Sequence, residues 1–211
     1  MFFGLGKNSS AAVARLLFLF YPVAAMRVIT GSAKGHKLKG PPDSGTRPML
    51  DRVKESLFAI LSGYDVIQGR VLDLFAGTGS LGIEFLSRGA EWADFVEQRA
   101  VVCKVIRENL AHTKLADRAK VHQAGVESWI AQARSEPYDI IMMDPPYASP
   151  TIEATIEAIA ASRLVKDGTI LVVGHWPRLT LQERYGNLTQ LTTRRLGDSS
   201  FSIYEYIEEH D

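Results

Sequence analysis

"RVLDLFAGTGSLGIEFLSRGAEWADFVE", residues 70–97, sets an apolar run, a glycine-rich turn, an amphipathic stretch and a second apolar run in succession. Short apolar runs bounded by turn residues read as buried strands, and the stretch from Ser80 to Arg88 reads as a helix. The alternation continues down the chain. A helix is expected near Gln98 to Leu110, then the strand "KVHQ" (120–123) with a helix near Val126 to Arg134. The strand "YDIIMMD" (138–144) precedes a helix near Pro150 to Ala160, and "GTILVVG" (168–174) leads into a looser stretch. Alternating strands and helices of this kind build a mostly parallel sheet covered on both faces. The end, "LTQLTTRRLGDSSFSIYEYIEE" (188–209), holds two β-rich runs around a Gly-Asp-Ser turn and predicts an antiparallel hairpin on the sheet edge. The fold expected is α/β, with a mostly parallel seven-stranded sheet and a C-terminal antiparallel hairpin.

The 211 residues, 46% of them hydrophobic, supply one α/β domain and an appendage, with a core large enough to need no staples. Basic and acidic residues balance at 24 each, so affinity for nucleic acid has to come from a local patch. Seven Lys and Arg lie between Arg27 and Lys54 against only Asp43 and Asp51, which concentrates positive charge near the front. Cys103 has no second cysteine to pair with, and the five histidines are scattered without metal-ligand spacing, so a reducing, cytoplasmic setting and no metal are expected.

Residues 1–25 carry Lys7 and Arg15, a short apolar run and then small residues, a passable secretory signal. The apolar run is too short to span a bilayer, and the preferred reading is an upstream extension with Met26 as the true initiator. Residues 26–68 form the next unit. "MRVITGSAKGHKLKGPP" (26–42) reads as a basic hairpin-like segment, and Val53, Leu57, Ile60 and Leu61 fall at helical spacing behind it. Residues 69–208 form the α/β domain.

In an α/β sheet the ligand lies at the carboxyl ends of the strands, where Gly77 and Gly79 let a backbone approach that a side chain would block. Gly77, Gly79 and Gly82 satisfy the dinucleotide spacing, and Glu97 stands twenty residues on, placed to bind ribose hydroxyls. NAD and S-adenosylmethionine both fit that pattern. The stretch "YDIIMMDPPYASP" (138–150) separates them. Hydride transfer has no use for an acid, two prolines and an aromatic after the fourth strand, whereas methyl transfer to a planar exocyclic amine does. Such a nitrogen is a poor nucleophile because its lone pair is delocalised into the base. If Asp144 and the Pro145 carbonyl accept its N–H bonds, they favour a pyramidal nitrogen aimed at the methyl group. Pro145 and Pro146 stiffen the loop, and Tyr147 can stack on the base.

Together "DLFAGTGSLGIEFLSRGA", "FVEQ" and "DIIMMDPPY" resemble the cofactor and catalytic motifs of class I amino-methyltransferases, which have a Rossmann-like fold. Upstream, "MRVITGSAKGHKLKGPPDSGTRPMLDRVKESLFAIL" (26–61) is similar to the amino-terminal signature of the RsmD family, bacterial methyltransferases of guanine N2 in small-subunit (16S) rRNA. The resemblance runs from Met26 to the final hairpin. It implies that Asp73, Gly77 and Gly79 surround the methionine part of S-adenosylmethionine, that Glu97 binds its ribose, and that Asp144 to Tyr147 hold the target base. Arg47, in "GTRP", is expected near the cofactor, and Lys34, Lys37 and Lys39 are expected on RNA. Gly125 departs from the family, which has Asp or Asn there for the adenine, so that interaction falls to Gln123 or to backbone around Val126. Gly125 also suits a helix N-cap.

Ribosomal RNA, free or in an assembling small subunit, is the partner this implies, with no membrane contact and a monomeric protein. Two other readings stay open: an adenine-N6 DNA methyltransferase, disfavoured because the chain has no room for a target-recognition domain, and a catalytically silent RNA-binding or assembly module, for which Asp144 would be superfluous. Cys103, among Val101, Val102 and Ile106, reads as core. His175 and Trp176 read as packed at a sheet end. Asp51, Arg52 and Glu55 read as a solvated helix face.

Overall fold

The computed structural model describes residues 26–40, 51–64, 66–146, 150–196 and 198–209. Helix α1 spans Asp51–Leu61, and the α/β unit follows as β1 (Arg70–Leu74), α2 (Ser80–Arg88), β2 (Trp92–Glu97), α3 (Ala100–Thr113), β3 (Ala119–Gln123), α4 (Val126–Gln132), β4 (Ile140–Met143), α5 (Ile152–Ala160) and β5 (Ile170–His175). Three antiparallel strands close the chain: β6 (Arg184–Tyr185), β7 (Leu188–Leu196) and β8 (Ser199–Tyr206). All form one sheet in the order β3-β2-β1-β4-β5-β8-β7-β6, with the first five parallel. The order reverses between β1 and β4, so a crevice opens there at the carboxyl ends.

Eight strands stand among the described residues where seven are expected. Arg184 and Tyr185 pair with Thr189 and Leu188 across a tight turn at Gly186, and two residues are too few to show a period in sequence. The helices start and stop close to the expected positions. α2 ends because Gly89 takes φ 114°, donating its N–H to the Leu86 carbonyl while Ala90 donates to Phe85.

Strand alternation divides the core in two. Val71, Phe95, Ile140, Met142 and Val172 pack against α1, α2 and α3, while Leu72, Leu74, Val96, Ile141 and Val173 pack against α4 and α5. By the same period of two, Asp73, Glu97 and the residue after Met143 belong to the first face.

The basic front segment doubles back, with Val28 donating to the His36 carbonyl and Leu38 to the Met26 carbonyl, but among its described residues only Arg27 and Lys37 form a β-bridge. It is not a full hairpin because its amides are spent elsewhere. Ile29 and Thr30 donate to the Glu84 carboxylate at 2.9 and 3.0 Å, Ser32 to the Ser87 carbonyl and Ala33 to the Ser87 hydroxyl. Lys54, counted by sequence among the front's basic residues, is fully buried: its ammonium lies 3.1 Å from Glu84 and donates to the Arg27 carbonyl at 2.7 Å and the Ser80 hydroxyl at 3.3 Å. Burial lowers the Lys54 pKa, and Glu84 opposes that shift. Asp51 is paired with Arg27 at 2.9 Å.

Removing one member of a buried ion pair leaves the other charge uncompensated. Lys54→Met is therefore expected to lower stability by about 3 kcal/mol, since Arg88 still neutralises part of Glu84. Guanidinium titration measures this, and an unchanged midpoint would mean the pair contributes nothing net.

Candidate active site at the carboxyl ends of β1, β2 and β4

The turn after β1 is held in a shape that few side chains allow. Gly77 and Gly79 sit at φ 52° and 77°, and Phe75, which is not glycine, at φ 55°. A β-carbon on Phe75 there costs on the order of 1 kcal/mol, so surrounding bonds must impose the turn. They do: Ala76 donates to the Val96 carbonyl at 3.1 Å, Gly79 to Ala76 at 2.8 Å, and Gly77 to a Glu97 carboxylate oxygen at 3.2 Å. The other Glu97 oxygen accepts from the Arg99 amide at 2.8 Å, fixing the carboxylate at the end of β2. Gln123 is the register partner of Glu97 on β3 and is exposed. Val126 is buried, and Gly125 caps α4 with its carbonyl accepting from Trp129.

Three carboxylates gather at this edge. Asp73 is buried and accepts a backbone bond from Gly82 at 2.9 Å. Burial, outweighing that bond and aided by the negative charges of Asp144 and Glu97, pushes its pKa up to about 8. Asp144, on the first residue beyond β4, is pushed up to about 6 by burial. Its carboxylate rests against Gly174 of β5: a β-carbon on Gly174 would lie 2.4 Å from Asp144 Oδ1 and 3.3 Å from the Phe201 ring. A side chain at 174 would displace the acid from this seat. Pro145 is buried behind it and Pro146 is exposed. Carboxyl groups crowded beside left-handed glycines leave a site suited to a ligand with a cationic centre and a flat polar group.

Asp73, Gly77, Gly79, Glu97 and Asp144 are brought together, whereas Arg47 and Tyr147 lie outside the described residues. Lys34, Lys37 and Lys39 are exposed on the front segment, Lys39 paired with Glu108 at 2.7 Å. Lys37, Lys39, Asn109 and His112 line a groove of about 530 Å³ between that segment and α3. The buried Asn109 joins the two regions. Its side chain accepts from the Lys39 amide at 2.7 Å and donates to the Lys39 carbonyl at 3.2 Å and to the Thr78 carbonyl, inside the glycine-rich turn, at 3.0 Å. The motifs do not mark Asn109, Lys54 or Gly174 as site residues. Each left a signal: an amide on an apolar helix face, a lysine between core positions and a glycine within a strand. Cys103 is buried core, as expected, but Trp176 is 52% exposed and not packed.

Comparison with known proteins fits this geometry. Residues 26–205 match the family described as Conserved hypothetical protein 95. The chain is 36% identical over 148 residues to ribosomal RNA small subunit methyltransferase D of Escherichia coli K12, covering 70% of this chain and 73% of that one. A solved structure of a hypothetical protein from Thermus thermophilus superposes with a TM-score of 0.74 at 31% identity, over 85% of this chain and 98% of the other. An RNA methyltransferase from Salinibacter ruber, solved with S-adenosyl-L-homocysteine, shares the fold at 17% identity and TM-score 0.59, over 78% of this chain and 96% of that one. Matched over nearly all its described residues, the chain belongs to the Conserved hypothetical protein 95 family, the RsmD family of rRNA methyltransferases that its motifs resemble.

Proposed function

We propose that the chain transfers a methyl group from S-adenosylmethionine to the exocyclic N2 amine of a guanine in small-subunit rRNA. The observation that carries this reading is Asp144, seated against Gly174, one strand from the glycine-rich turn and two from Glu97. S-adenosylmethionine, when bound, supplies an electrophilic methyl on a positively charged sulfur. Asp73, Gly77 and Gly79 would hold its methionine part, and Glu97 its ribose. Gln123 and the backbone at Val126 would meet the adenine, and Arg47 would stand nearby. A cationic ligand favours the ionised form of Asp73.

Asp144 and the Pro145 carbonyl accept the two amine hydrogens, which draws the lone pair out of conjugation and aims it. Pro145 and Pro146 keep that pair of acceptors rigid, and Tyr147 stacks on the guanine. Only the ionised Asp144 can take up the proton released, and its elevated pKa leaves it ionised above about pH 6. Residues 26–68, with Lys34, Lys37 and Lys39, would hold rRNA. Among the described residues no helix is long and apolar enough to cross a membrane.

Calorimetry tests the cofactor assignment: Glu97→Ala should weaken S-adenosylhomocysteine binding by about 1–3 kcal/mol, and tight NAD binding in its place would end the methyltransferase reading. Methyl transfer to rRNA from a strain lacking the gene, read by nucleoside mass spectrometry, tests the product. N2-methylguanosine is expected, and N6-methyladenosine would overturn the guanine assignment.

Chemistry is tested at Asp144. Asp144→Ala and Gly174→Ala should each cut turnover at least about a hundredfold while leaving cofactor affinity nearly unchanged, because the lost interaction belongs to the transition state. In the parent enzyme kcat/KM should fall as pH drops through about 6, where the raised Asp144 carboxylate takes up its proton. A flat profile would show that Asp144 only terminates a strand.

Substrate capture is tested on the front segment. Neutralising Lys34, Lys37 and Lys39 should weaken RNA binding, and the log-log salt slope should fall by roughly 0.7 for each phosphate that no longer meets a lysine, with cofactor binding intact. An unchanged slope would reduce these lysines to solubilising charges.

A further inference from the structure

Beyond the last residue of β5, the chain presents an aromatic ring that the core does not use. Trp176 is 52% exposed, and the Arg178 guanidinium lies 5.9 Å from its ring centroid. Parallel pairing sets Met143 beside Val173, so Asp144 faces Gly174 and Trp176 follows two residues later, roughly 7 Å further along. The ring therefore stands at the rim of the crevice that holds Asp144. Its backbone is fixed. The Trp176 carbonyl accepts from the Leu179 amide at 3.0 Å and from His175 Nδ1 at 2.9 Å, which places the ring proton of His175 on Nδ1 because a carbonyl can only accept. His175 Nε2 then accepts from the Ser202 hydroxyl at 2.9 Å, which lies 2.8 Å from Thr193 Oγ1.

Positive charge collects on the same edge. Gly174 pairs with Phe201 on β8, and Phe201 with Arg194 on β7, so the exposed Arg194 lies at the same end and on the same face of the sheet as Gly174, two residues before Trp176. A rigidly mounted, exposed aromatic with a guanidinium at its ring and a further arginine on the same sheet face suits a base with its phosphates. An apolar protein face would have no use for these cations.

We propose that Trp176 and Arg178 form a stacking platform for an unpaired nucleotide next to the target guanine, with Arg194 along its phosphate path. This rests on the rRNA methyltransferase reading above. The platform holds the strand on the far side of the target from the front segment, so that the guanine is fixed from two sides.

The test uses the full chain, single-stranded RNA oligonucleotides covering the methylated site, and a matching series with one abasic position each. Trp176→Ala should weaken oligonucleotide binding about 5- to 150-fold and raise KM for RNA with kcat little changed, while Trp176→Phe retains most of the affinity. S-adenosylhomocysteine binding should not move. One abasic position should cost the parent protein the same factor yet cost Trp176→Ala nothing, the signature of a shared interaction. If Trp176→Ala binds and methylates RNA as the parent does, the platform is wrong and the methyltransferase reading stands. A parent protein that neither binds nor methylates rRNA would overturn both.

Discussion

The carboxylate of Glu84 has no route to water, and four donors from three parts of the chain converge on it: the Lys54 ammonium from α1, the Arg88 guanidinium one helical turn on, and the amides of Ile29 and Thr30. A charge in such a place is tolerated only while its partners stay. The front segment and α1 therefore cannot drift from α2 without exposing an unpaired ion, and α2 is the helix that the glycine-rich turn feeds. Lys54 also reaches Ser80, the first residue of that helix. A segment with little β-pairing of its own is thus held by electrostatics to the back of the ligand turn, and the strain at Phe75 is borne by a scaffold that does not yield.

The acids of the crevice lie under the opposite balance. Asp73 and Asp144 hold protons in the fold at pH values where the unfolded chain has lost them, because both pKa values are raised above the ordinary aspartate range. Between about pH 4 and pH 8 these two residues make the fold less stable as pH rises, the reverse of a salt-bridged aspartate. A chain that retains such groups forgoes stability at the point where a cation or a polarised amine is to be received, a recurring feature of binding sites.

Local chemistry made most of this fold legible in sequence. β2 and α2 fall where the apolar runs and the glycines place them, because buried strands and glycine-capped helices are dictated by nearest neighbours. Asp73, Glu97 and Asp144 were legible for the same reason: each ends or nearly ends a strand, and a parallel sheet brings such ends together. What sequence hid was tertiary. Lys54 reads as one more basic residue until Glu84, thirty positions on, is seen to face it. Gly174 reads as a weak strand position until Asp144 is found resting on it. Trp176 reads as core because large aromatics usually are, and only the end of β5 shows it standing free.

Asn109 has one amide group and two clients. It fixes both backbone polar groups of Lys39 and, with its remaining hydrogen, the carbonyl of Thr78. A planar amide cannot turn toward one without turning from the other. The front segment and the ligand turn therefore hang on one shared anchor, and a change in that side chain is felt at both. Two elements far apart in the chain thus depend on one buried amide, and its loss would orphan polar groups in both places at a stroke.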